Sequence, residues 1–231
     1  MLQLHRLTAY YGKTPIIHDV SFHVPQGTCI CVLGRNGVGK TTLLKSIMGL
    51  TTGAQGELYL DGIDQRQRPT HQRAVAGLGY VPQGRRILGK LTVGENILLG
   101  TFASQVKPRA IPPLCLELFP YLADNLHKRA GLLSGGQKQQ LAIARALATD
   151  PKVLLLDEPT EGIQPNLVAE INHTLGQLLR ELNLTLVLTE QHVQSARALS
   201  SQFLIMDSGR VVEQGPIDQL TDELLHRHLT I

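Results

Sequence analysis

The sequence predicts an α/β fold in which a mainly parallel sheet is preceded by antiparallel strands and interrupted by a helical insertion. Three near-continuous apolar runs, TCICVLG (28–34), KVLLLD (152–157) and LTLVLTEQ (184–191), are typical of parallel strands covered on both faces. The segment HDVSFHV (18–24) alternates apolar and polar residues, which indicates a half-buried antiparallel strand. Between about residues 86 and 150, helical patterns replace these strands.

The composition is that of an ordinary folded protein. Of the 231 residues, 42% are hydrophobic and 18% are charged, which is enough apolar material for a large core. No stretch approaches the roughly 18 apolar residues that span a bilayer, and the N-terminus lacks a secretory signal. We therefore expect a soluble, intracellular protein whose membrane role, if any, requires a spanning partner. The net charge of +3 is too small to indicate nucleic acid binding.

The three cysteines, Cys29, Cys31 and Cys115, do not make a disulfide framework. Cys29 and Cys31 alternate along the first apolar run and should lie on one face of a strand. A metal or redox pair and a pair of small buried residues both fit this spacing. The lack of an accompanying ligand cluster favours the buried pair.

Two N-terminal segments predict an antiparallel β subdomain. The apolar residues of 18–24 share one side of the strand, namely Val20, Phe22 and Val24. The segment ELYLDGI (57–63) places Asp61-Gly62 as a turn between two short strands.

Three helical patterns follow one another in the middle of the chain. Thr92 and Glu95 form a capping-box pattern at the start of the first. PPLCLELF (112–119) has proline at its start, as many helices do. KQQLAIARALA (138–148) has apolar residues at helical spacing. These patterns predict a helical subdomain.

The C-terminal part returns to strands and ends in a helix. QFLIMDSGRVVEQG (202–215) predicts a hairpin that turns at Ser208-Gly209, and DELLHRHL (222–229) predicts a short helix. We therefore predict a single domain over residues 1–231, with a core at about 1–85 and 151–231 and a helical subdomain at about 86–150.

The segment GRNGVGKTT (34–42), which we name the phosphate loop, lies between the first apolar run and a helical run. Gly34, Gly39, Lys40 and Thr41 satisfy the pattern G-x-x-x-x-G-K-[ST]. The glycines let backbone N–H groups wrap phosphates, and the helix N-terminus adds its dipole. Lys40 can reach the β and γ phosphates, and the Thr41 hydroxyl can bind Mg²⁺. A chance glycine turn is the alternative, which the strand–loop–helix setting disfavours.

Two acids end the apolar run VLLLDE (153–158). A strand that ends in a carboxylate can place Asp157 beside the Mg²⁺ held by Thr41. Glu158 can then orient or deprotonate the attacking water. Ordinary solvent-facing loop residues are the alternative, and the phosphate loop makes that interpretation weaker.

A second glycine-rich element, LSGGQ (133–137), precedes a helical run, although a single nucleotide has one set of phosphates. Ser134 suits a helix N-cap, and Gly135 and Gly136 let a phosphate approach the backbone.

Three single residues are candidates on weaker grounds. Gln83 in YVPQG could hydrogen-bond the water or Mg²⁺, and His192 in LTEQH follows a core strand, where a parallel sheet binds its ligand. Tyr11 in YYG could stack on a base. Each of the three also fits a purely structural role.

Taken together and in this order, these segments resemble the ATP-binding subunit of an ABC transporter, over essentially the whole chain. The resemblance implies a P-loop NTPase (RecA-like) core that binds ATP and Mg²⁺ and hydrolyses ATP. Within it, Tyr11 would stack on adenine and His192 would be the switch histidine. The implied catalytic residues are Glu158, His192 and Gln83, and the implied metal-binding residues are Thr41, Gln83 and Asp157. The implied nucleotide-binding residues are Tyr11, Gly34, Arg35, Asn36, Gly37, Val38, Gly39, Lys40, Thr41, Thr42, Ser134, Gly135, Gly136 and Gln137.

The resemblance also implies partners, and it gives LSGGQ a purpose. Two ATPase domains of this family pair head to tail, so that residues 133–137 of each cap the γ-phosphate on the other. The expected partners are a second ATP-binding subunit (a copy or a paralogue), integral membrane permease subunits and, indirectly, a solute-binding protein, with no nucleic acid. The expected location is peripheral, at the cytoplasmic face of the cell membrane.

The cargo is predicted from EPTEGIQP (158–165), where Gln164 stands in place of the family's usual aspartate. ATPases of branched-chain amino acid importers also lack that aspartate, and the whole segment resembles the urea-importing branch of this group. Arg86 and Gly89-Lys90 depart from the group's sequence pattern. This stretch adjoins the permease-docking surface, so the departure bears on how this chain fits its permease. We predict an importer of a small polar solute, urea, with a branched-chain amino acid importer or a soluble non-transport ABC ATPase as alternatives.

Overall fold

The computed structural model describes residues 1–104, 110–191 and 193–229, and within them ten strands form two sheets. The smaller sheet is antiparallel, in the order β2-β1-β4-β5. Its strands are β1 (Leu2–Tyr11), β2 (Thr14–Val24), β4 (Gly53–Leu60) and β5 (Ile63–Asp64). The N-terminal antiparallel strands are present as predicted. Asp61 and Gly62 make the turn with φ of 51° and 75°.

The larger sheet has six strands in the order β10-β9-β3-β8-β7-β6. They are β3 (Cys29–Leu33), β6 (Leu78–Val81), β7 (Val153–Asp157), β8 (Thr185–Glu190), β9 (Gln202–Asp207) and β10 (Arg210–Pro216). Neighbouring strands are parallel except for the β9–β10 hairpin, which turns at Ser208-Gly209 as predicted. Every residue of β3, β7 and β8 is buried, as the continuous apolar runs predict.

The described helices connect and cover these strands. They are α1 (Lys40–Met48), α2 (Thr70–Val75), α3 (Val93–Gly100), α4 (Pro113–Leu118), α5 (Pro120–Ala123), α6 (Gly135–Leu147), α7 (Pro165–Leu182), α8 (Val193–Leu199) and α9 (Asp222–His228), with short 3₁₀ turns at Ala130–Leu132 and Ile217–Gln219. Helices α3 to α6 follow one another between β6 and β7. The capping box at the start of α3 forms in full: Thr92 accepts from the Glu95 N–H, and Glu95 accepts from the Thr92 N–H. The division into a core and a helical subdomain stays a proposal.

The six-stranded sheet has an apolar core on each face. One face packs on the antiparallel sheet and on α1, through Leu43, Leu44 and Ile47 of the helix. The other face packs on α3, α6 and α7. Successive residues of β3 alternate between the two cores, as strand geometry requires.

The cysteines are buried and free, which agrees with the structural interpretation. Burial raises the pKa of the Cys29 and Cys115 thiols to about 12, which leaves them as neutral thiols at physiological pH.

A buried arginine holds the far end of α1. The Arg73 guanidinium donates to the carbonyl oxygens of Ser46 (2.9 Å) and Ile47 (2.8 Å), in the last turn of that helix. A cation is favourable there because helix carbonyls without intrahelical partners carry partial negative charge. The opposite end of α1 leads to the functional site. None of the described helices is long and apolar enough to cross a membrane.

Candidate functional site

Four neighbouring parallel strands end side by side at one edge of the six-stranded sheet. The chain leaves β3 into the phosphate loop, β6 towards Gln83, β7 at Asp157 and β8 towards Gln191. Open α/β sheets bind their ligands at this edge. The phosphate loop and the two acids, far apart in sequence, therefore lie together.

The phosphate loop has two residues in the left-handed region, Gly37 with φ 83° and Gly39 with φ 111°. Glycine adopts this region without steric penalty. A Cβ on Gly34 would lie 2.7 Å from the carbonyl oxygen of Met206, so the backbones approach closely there. Gly39 is the N-cap of α1, and no side chain caps that end. Because N–H groups in a helix's first turn lack intrahelical partners, this end suits an anion.

A cavity of about 150 Å³ lies at the phosphate loop. Its lining is Ile16, Asn36, Gly37, Gly39, Lys40, Thr41, Thr42, Gln83 and Glu158. A larger groove of about 790 Å³ runs between the 160–169 segment and α8. Volume therefore does not identify the functional site. Of these two cavities, only the smaller one combines a glycine-rich helix end with a lysine and a carboxylate.

Lys40 is buried in this cavity and makes three polar contacts. Its Nζ donates to the carbonyl oxygens of Gly34 (2.7 Å) and Arg35 (3.1 Å). The same Nζ lies 3.0 Å from Oε1 of Glu158, whose side chain is also buried. The lysine thus connects the phosphate loop directly to the acid that follows β7.

Asp157 is surrounded by hydroxyl groups. Thr41 Oγ1 and Thr189 Oγ1 donate to Oδ1 at 3.0 and 2.9 Å, and the Tyr80 hydroxyl donates to Oδ2 at 3.2 Å. Burial raises the pKa of Asp157, and the hydrogen bonds from Thr189 and Thr41 partly oppose that rise. Burial also raises the pKa of Tyr80, which keeps the phenol protonated as a donor. A buried carboxylate next to a threonine hydroxyl is a set of hard oxygen donors that fits Mg²⁺.

Glu158 has an unusual backbone conformation for a glutamate, with φ 47°. Such a conformation in a non-glycine residue is strained by roughly 1 kcal/mol or more and often occurs at functional sites. The backbone N–H of Glu158 donates to Thr189 Oγ1 at 3.0 Å. Its carboxylate accepts from Gln83 Nε2 and Gln191 Nε2, each at 3.1 Å, in addition to pairing with Lys40. This carboxylate is therefore fixed from three sides.

The LSGGQ segment begins α6, away from the lining of the phosphate-loop cavity. Ser134 is the N-cap and forms a capping box with Gln137, as its N-cap chemistry predicts. Gly136 is buried, and a Cβ there would collide with the Leu167 side chain. Close packing against α7 is thus a second reason for glycine at 136, besides the predicted approach of a phosphate. Ser134 is exposed.

Comparison with known proteins gives this geometry a family. The ABC transporter family matches residues 17–161. The chain belongs to the ABC transporter family. It is 38% identical over 213 residues to the high-affinity branched-chain amino acid transport ATP-binding protein BraG of Pseudomonas aeruginosa, covering 92% of this chain and 91% of that protein. It is 37% identical over 225 residues to a LivF protein of Archaeoglobus fulgidus, also named for branched-chain amino acid transport, with 96% and 94% covered.

A solved structure gives the same answer for the fold. A dimeric ATP-binding cassette in a post-hydrolysis state, with ADP and Pi bound, superposes with a TM-score of 0.83 at 26% identity, covering 94% of this chain and 99% of that one. The α/β P-loop NTPase fold is therefore confirmed. As an ABC transporter ATP-binding subunit, the chain binds ATP and hydrolyses it in support of transport. The named relatives agree with the branched-chain amino acid alternative better than with urea.

The remaining predicted site residues of this ABC ATPase are placed as follows. Tyr11, at the end of β1, has 39% of its surface exposed, which leaves its ring accessible. The Gln83 amide contacts Glu158 and also Glu161, the latter at 3.0 Å. His192 lies outside the described residues.

Three residues that the sequence did not single out contact the two acids. Tyr80 and Thr189 donate to Asp157, and Gln191 donates to Glu158. Their positions offered a signal, since Tyr80 is three residues before Gln83 and Gln191 immediately follows β8. Residues that leave parallel strands at the carboxyl edge are candidates as a class.

Proposed function

We propose that the chain is the ATP-hydrolysing subunit of a membrane importer for a small amino acid-like solute, and that it works as one half of a dimer. The observation that carries the proposal is the meeting of Lys40, Thr41, Asp157 and Glu158 at the carboxyl edge of one sheet. These groups would supply phosphate binding, metal binding and water activation side by side: Lys40, Thr41 and Glu158 line the small cavity, and Asp157 is hydrogen-bonded to Thr41.

ATP is expected to bind with its phosphates against the phosphate loop. The N–H groups of the loop and of the first turn of α1 face the phosphates, and the helix dipole favours their charge. An ammonium group has three N–H donors, and those of Lys40 are directed at Gly34, Arg35 and Glu158. Donation to a γ-phosphate oxygen would replace one of these contacts. Tyr11, accessible at the end of β1, can stack on the base.

The oxygens of Thr41 and Asp157 would hold Mg²⁺, with the Gln83 side chain as a further candidate ligand. The ion would supply positive charge against the β and γ phosphates. The three hydroxyls of Thr41, Thr189 and Tyr80 orient the Asp157 carboxylate. Burial disfavours the charge of that carboxylate, and a cation alongside would offset this penalty.

Glu158 is positioned to act on water. In the proposed step, a water oxygen attacks the γ-phosphorus, the bond from that phosphorus to the β–γ bridging oxygen breaks, and ADP leaves with the bridging oxygen. Glu158 orients the water and accepts its proton. Its backbone strain and its contacts with Lys40, Gln83 and Gln191 agree with a group held for this task.

Dimerisation is expected to complete the site. Ser134 and Gly135 begin an α-helix away from the phosphate-loop cavity of their own chain, and their helix end suits an anion. We propose that they contact the γ-phosphate on a second subunit, which is a copy or a paralogue. Gln164, the N-cap of α7, is exposed and makes no capping bond with its side chain, so it is available to that interface.

The cargo and location follow from the relatives and the resemblance. Two relatives named for branched-chain amino acid transport support a branched-chain amino acid as the solute. The urea interpretation rests on the EPTEGIQP segment and is the second candidate. The chain would act at the cytoplasmic face of the membrane on permease subunits, with a solute-binding protein delivering the solute.

Steady-state ATP hydrolysis tests the catalytic part. Lys40→Ala and Glu158→Gln should each lower kcat by about a hundredfold or more, since removal of one charge-stabilising group typically has an effect of that order. Lys45→Ala is the matched control, because Lys45 lies on the same helix but near its C-terminal end. Wild-type rates in Glu158→Gln would contradict the role given to that carboxylate.

Uptake measurements in a deletion strain test the cargo. Loss of labelled leucine uptake at micromolar supply, restored by the wild-type gene but not by Glu158→Gln, is the expected result. Loss of urea uptake with leucine uptake unchanged would assign the chain to the urea branch. Unchanged uptake of both would contradict the proposed importer.

A further inference from the structure

We propose that Gln191, in addition to the Lys40 ion pair, connects the phosphate loop to Glu158 and holds that carboxylate in its reactive orientation. The inference rests on the proposed function, because it assumes that Glu158 acts on water. It assigns to Gln191 the position that the family resemblance gives to His192.

The position of Gln191 follows from the sheet order. Strand β8 lies between β3, which leads to the phosphate loop, and β7, which leads to Glu158. Gln191 is the first residue after β8. A side chain that leaves this strand end is therefore next to both loops at once.

The contacts of Gln191 use that position. Its Nε2 is 2.7 Å from Asn36 Oδ1 in the phosphate loop and 3.1 Å from both carboxylate oxygens of Glu158. One amide group thus makes hydrogen bonds to the tip of the phosphate loop and to the acid after β7. Hydrogen bonds to an ionised acceptor are stronger than those between neutral groups.

The backbone next to Gln191 is anchored in turn. Its N–H donates to Oε2 of Glu190 at 3.3 Å, and Glu190 Oε1 accepts from the Thr160 hydroxyl at 2.7 Å. Both Glu190 and Thr160 are buried. Thr160 belongs to the loop that follows Glu158, so the strand end and that loop are fixed to each other beneath the amide.

The chemistry of an amide limits what Gln191 can do. A glutamine side chain does not titrate near neutral pH, so it cannot deliver or remove a proton there. It can hold the Glu158 carboxylate in one orientation, and its contact with Asn36 makes that orientation depend on the position of the phosphate loop. Among the described residues, the charged groups hydrogen-bonded to Gln191 are Glu158 and Glu190, and Lys40 pairs with Glu158. Gln191 is thus a positioning residue, and its loss should lower kcat more than it changes KM.

The test compares variants of the full chain by steady-state hydrolysis and by nucleotide affinity. Gln191→Leu keeps the size and removes the donor. We expect its kcat to fall about ten- to a hundredfold, as the loss of hydrogen bonds to a charged group predicts, with KM and ATP affinity within about threefold. Gln3→Leu is the matched control on the exposed side of β1 and should retain the wild-type rate.

A histidine substitution provides a readout that a structural role would not change. Gln191→His restores a donor, so its kcat should exceed that of Gln191→Leu about threefold or more. It should also add a fall in rate below about pH 6.5, where imidazole becomes a cation beside Glu158. The wild-type chain should lack this added limb.

Three outcomes would overturn the inference. They are a kcat within twofold of wild type in Gln191→Leu, a larger kcat loss in His192→Ala than in Gln191→Leu, or equal changes in kcat and KM. Glu158→Gln separates the two levels of argument. If Glu158→Gln is inactive while Gln191→Leu is fully active, only the role of Gln191 is wrong. If Glu158→Gln keeps the wild-type rate, the proposed function itself is wrong.

Discussion

The ion pair between Lys40 and Glu158 provides a sharp test of how the site is held together. The two charged atoms are 3.0 Å apart, and the side chains are only 3% and 5% exposed. At an effective dielectric constant near 20, their attraction is about 5 kcal/mol, which desolvation of the two ions largely offsets. Removing one partner is different, because the other charge stays buried. Loss of one member of a buried pair lowers the free energy of unfolding by about 3–5 kcal/mol.

The perturbation is a double-mutant cycle with Lys40→Met, Glu158→Gln and the combined variant. We expect each single change to lower the free energy of unfolding by about 3 kcal/mol, at the lower end of the range, because each remaining ion keeps other hydrogen bonds. Lys40 keeps its two carbonyl acceptors, and Glu158 keeps the Gln83 and Gln191 amides. The combined variant leaves no unpaired charge and should also lose only about 3 kcal/mol, which is a coupling energy of about 3 kcal/mol.

Urea and thermal unfolding without nucleotide measure these quantities. A loss of 3 kcal/mol corresponds to a Tm lower by about 6–12 °C for a chain of this size. If the two single losses add to within about 0.5 kcal/mol in the combined variant, the residues are not energetically coupled. That result would refute the ion pair as a feature of the folded chain. Lys45→Met is the control for loss of a lysine from the same helix.

Further predictions concern Asp157 as the proposed Mg²⁺ ligand, the dimer and the segment after β6. Asp157→Asn should abolish Mg²⁺-dependent hydrolysis yet raise the free energy of unfolding by about 0.5–2 kcal/mol. Because burial raises the pKa of Asp157, this stability gain over wild type, measured by urea unfolding, should widen as pH rises above 3.8 and become constant above the folded-state pKa. A stability gain that shrinks as pH rises would contradict this reasoning. Mixing inactive Ser134→Arg and Lys40→Ala chains should restore up to about a quarter of the wild-type hydrolysis rate, because half of randomly paired dimers keep one intact shared site; no recovery in demonstrated mixed dimers counts against sharing. Arg85→Glu should lower hydrolysis about tenfold, because its guanidinium donates to carbonyls of the loop after β7. The exposed Arg86 changed to Glu should leave hydrolysis within about twofold and reduce solute uptake, and equal losses of both activities would refute a docking role.

Local patterns explain why so much of this structure is predictable. The phosphate loop has left-handed backbone at Gly37 and Gly39, and glycine is the residue type that adopts this conformation without steric penalty. Capping boxes at Thr92 and Ser134 are likewise formed by residues three apart. The buried strands follow from apolar runs whose length suits a strand and not a helix.

The residues that escaped prediction depend on strand order and side-chain direction. In β8 every residue is buried, so no alternation shows which side chain after Glu190 turns towards the site. The order β3-β8-β7 brings Gln191 between the phosphate loop and Glu158, and sequence spacing does not contain this order. Helix α7 is also not among the elements predicted individually, although it is the longest of those described. The φ of 47° at Glu158 was also not predictable from the residue type, because the surrounding contacts impose this strained conformation.

The contacts of Glu158 come from three directions, and this explains how nucleotide binding and water activation can be one event. Lys40 comes from α1, Gln83 from the end of β6 and Gln191 from the end of β8. Two of these three are bound to the phosphate loop, Lys40 as part of it and Gln191 through Asn36. The Lys40 ammonium has three donors in use, so it must give up one contact to bind a phosphate oxygen. The contact to be replaced is the one with the Glu158 carboxylate, because the phosphate carries the same sign of charge. A carboxylate released from its counterion, yet still held by two amides, is free to accept a proton and remains in position to do so. The acid that pairs with Lys40 would therefore become a competent base only when a γ-phosphate takes its place.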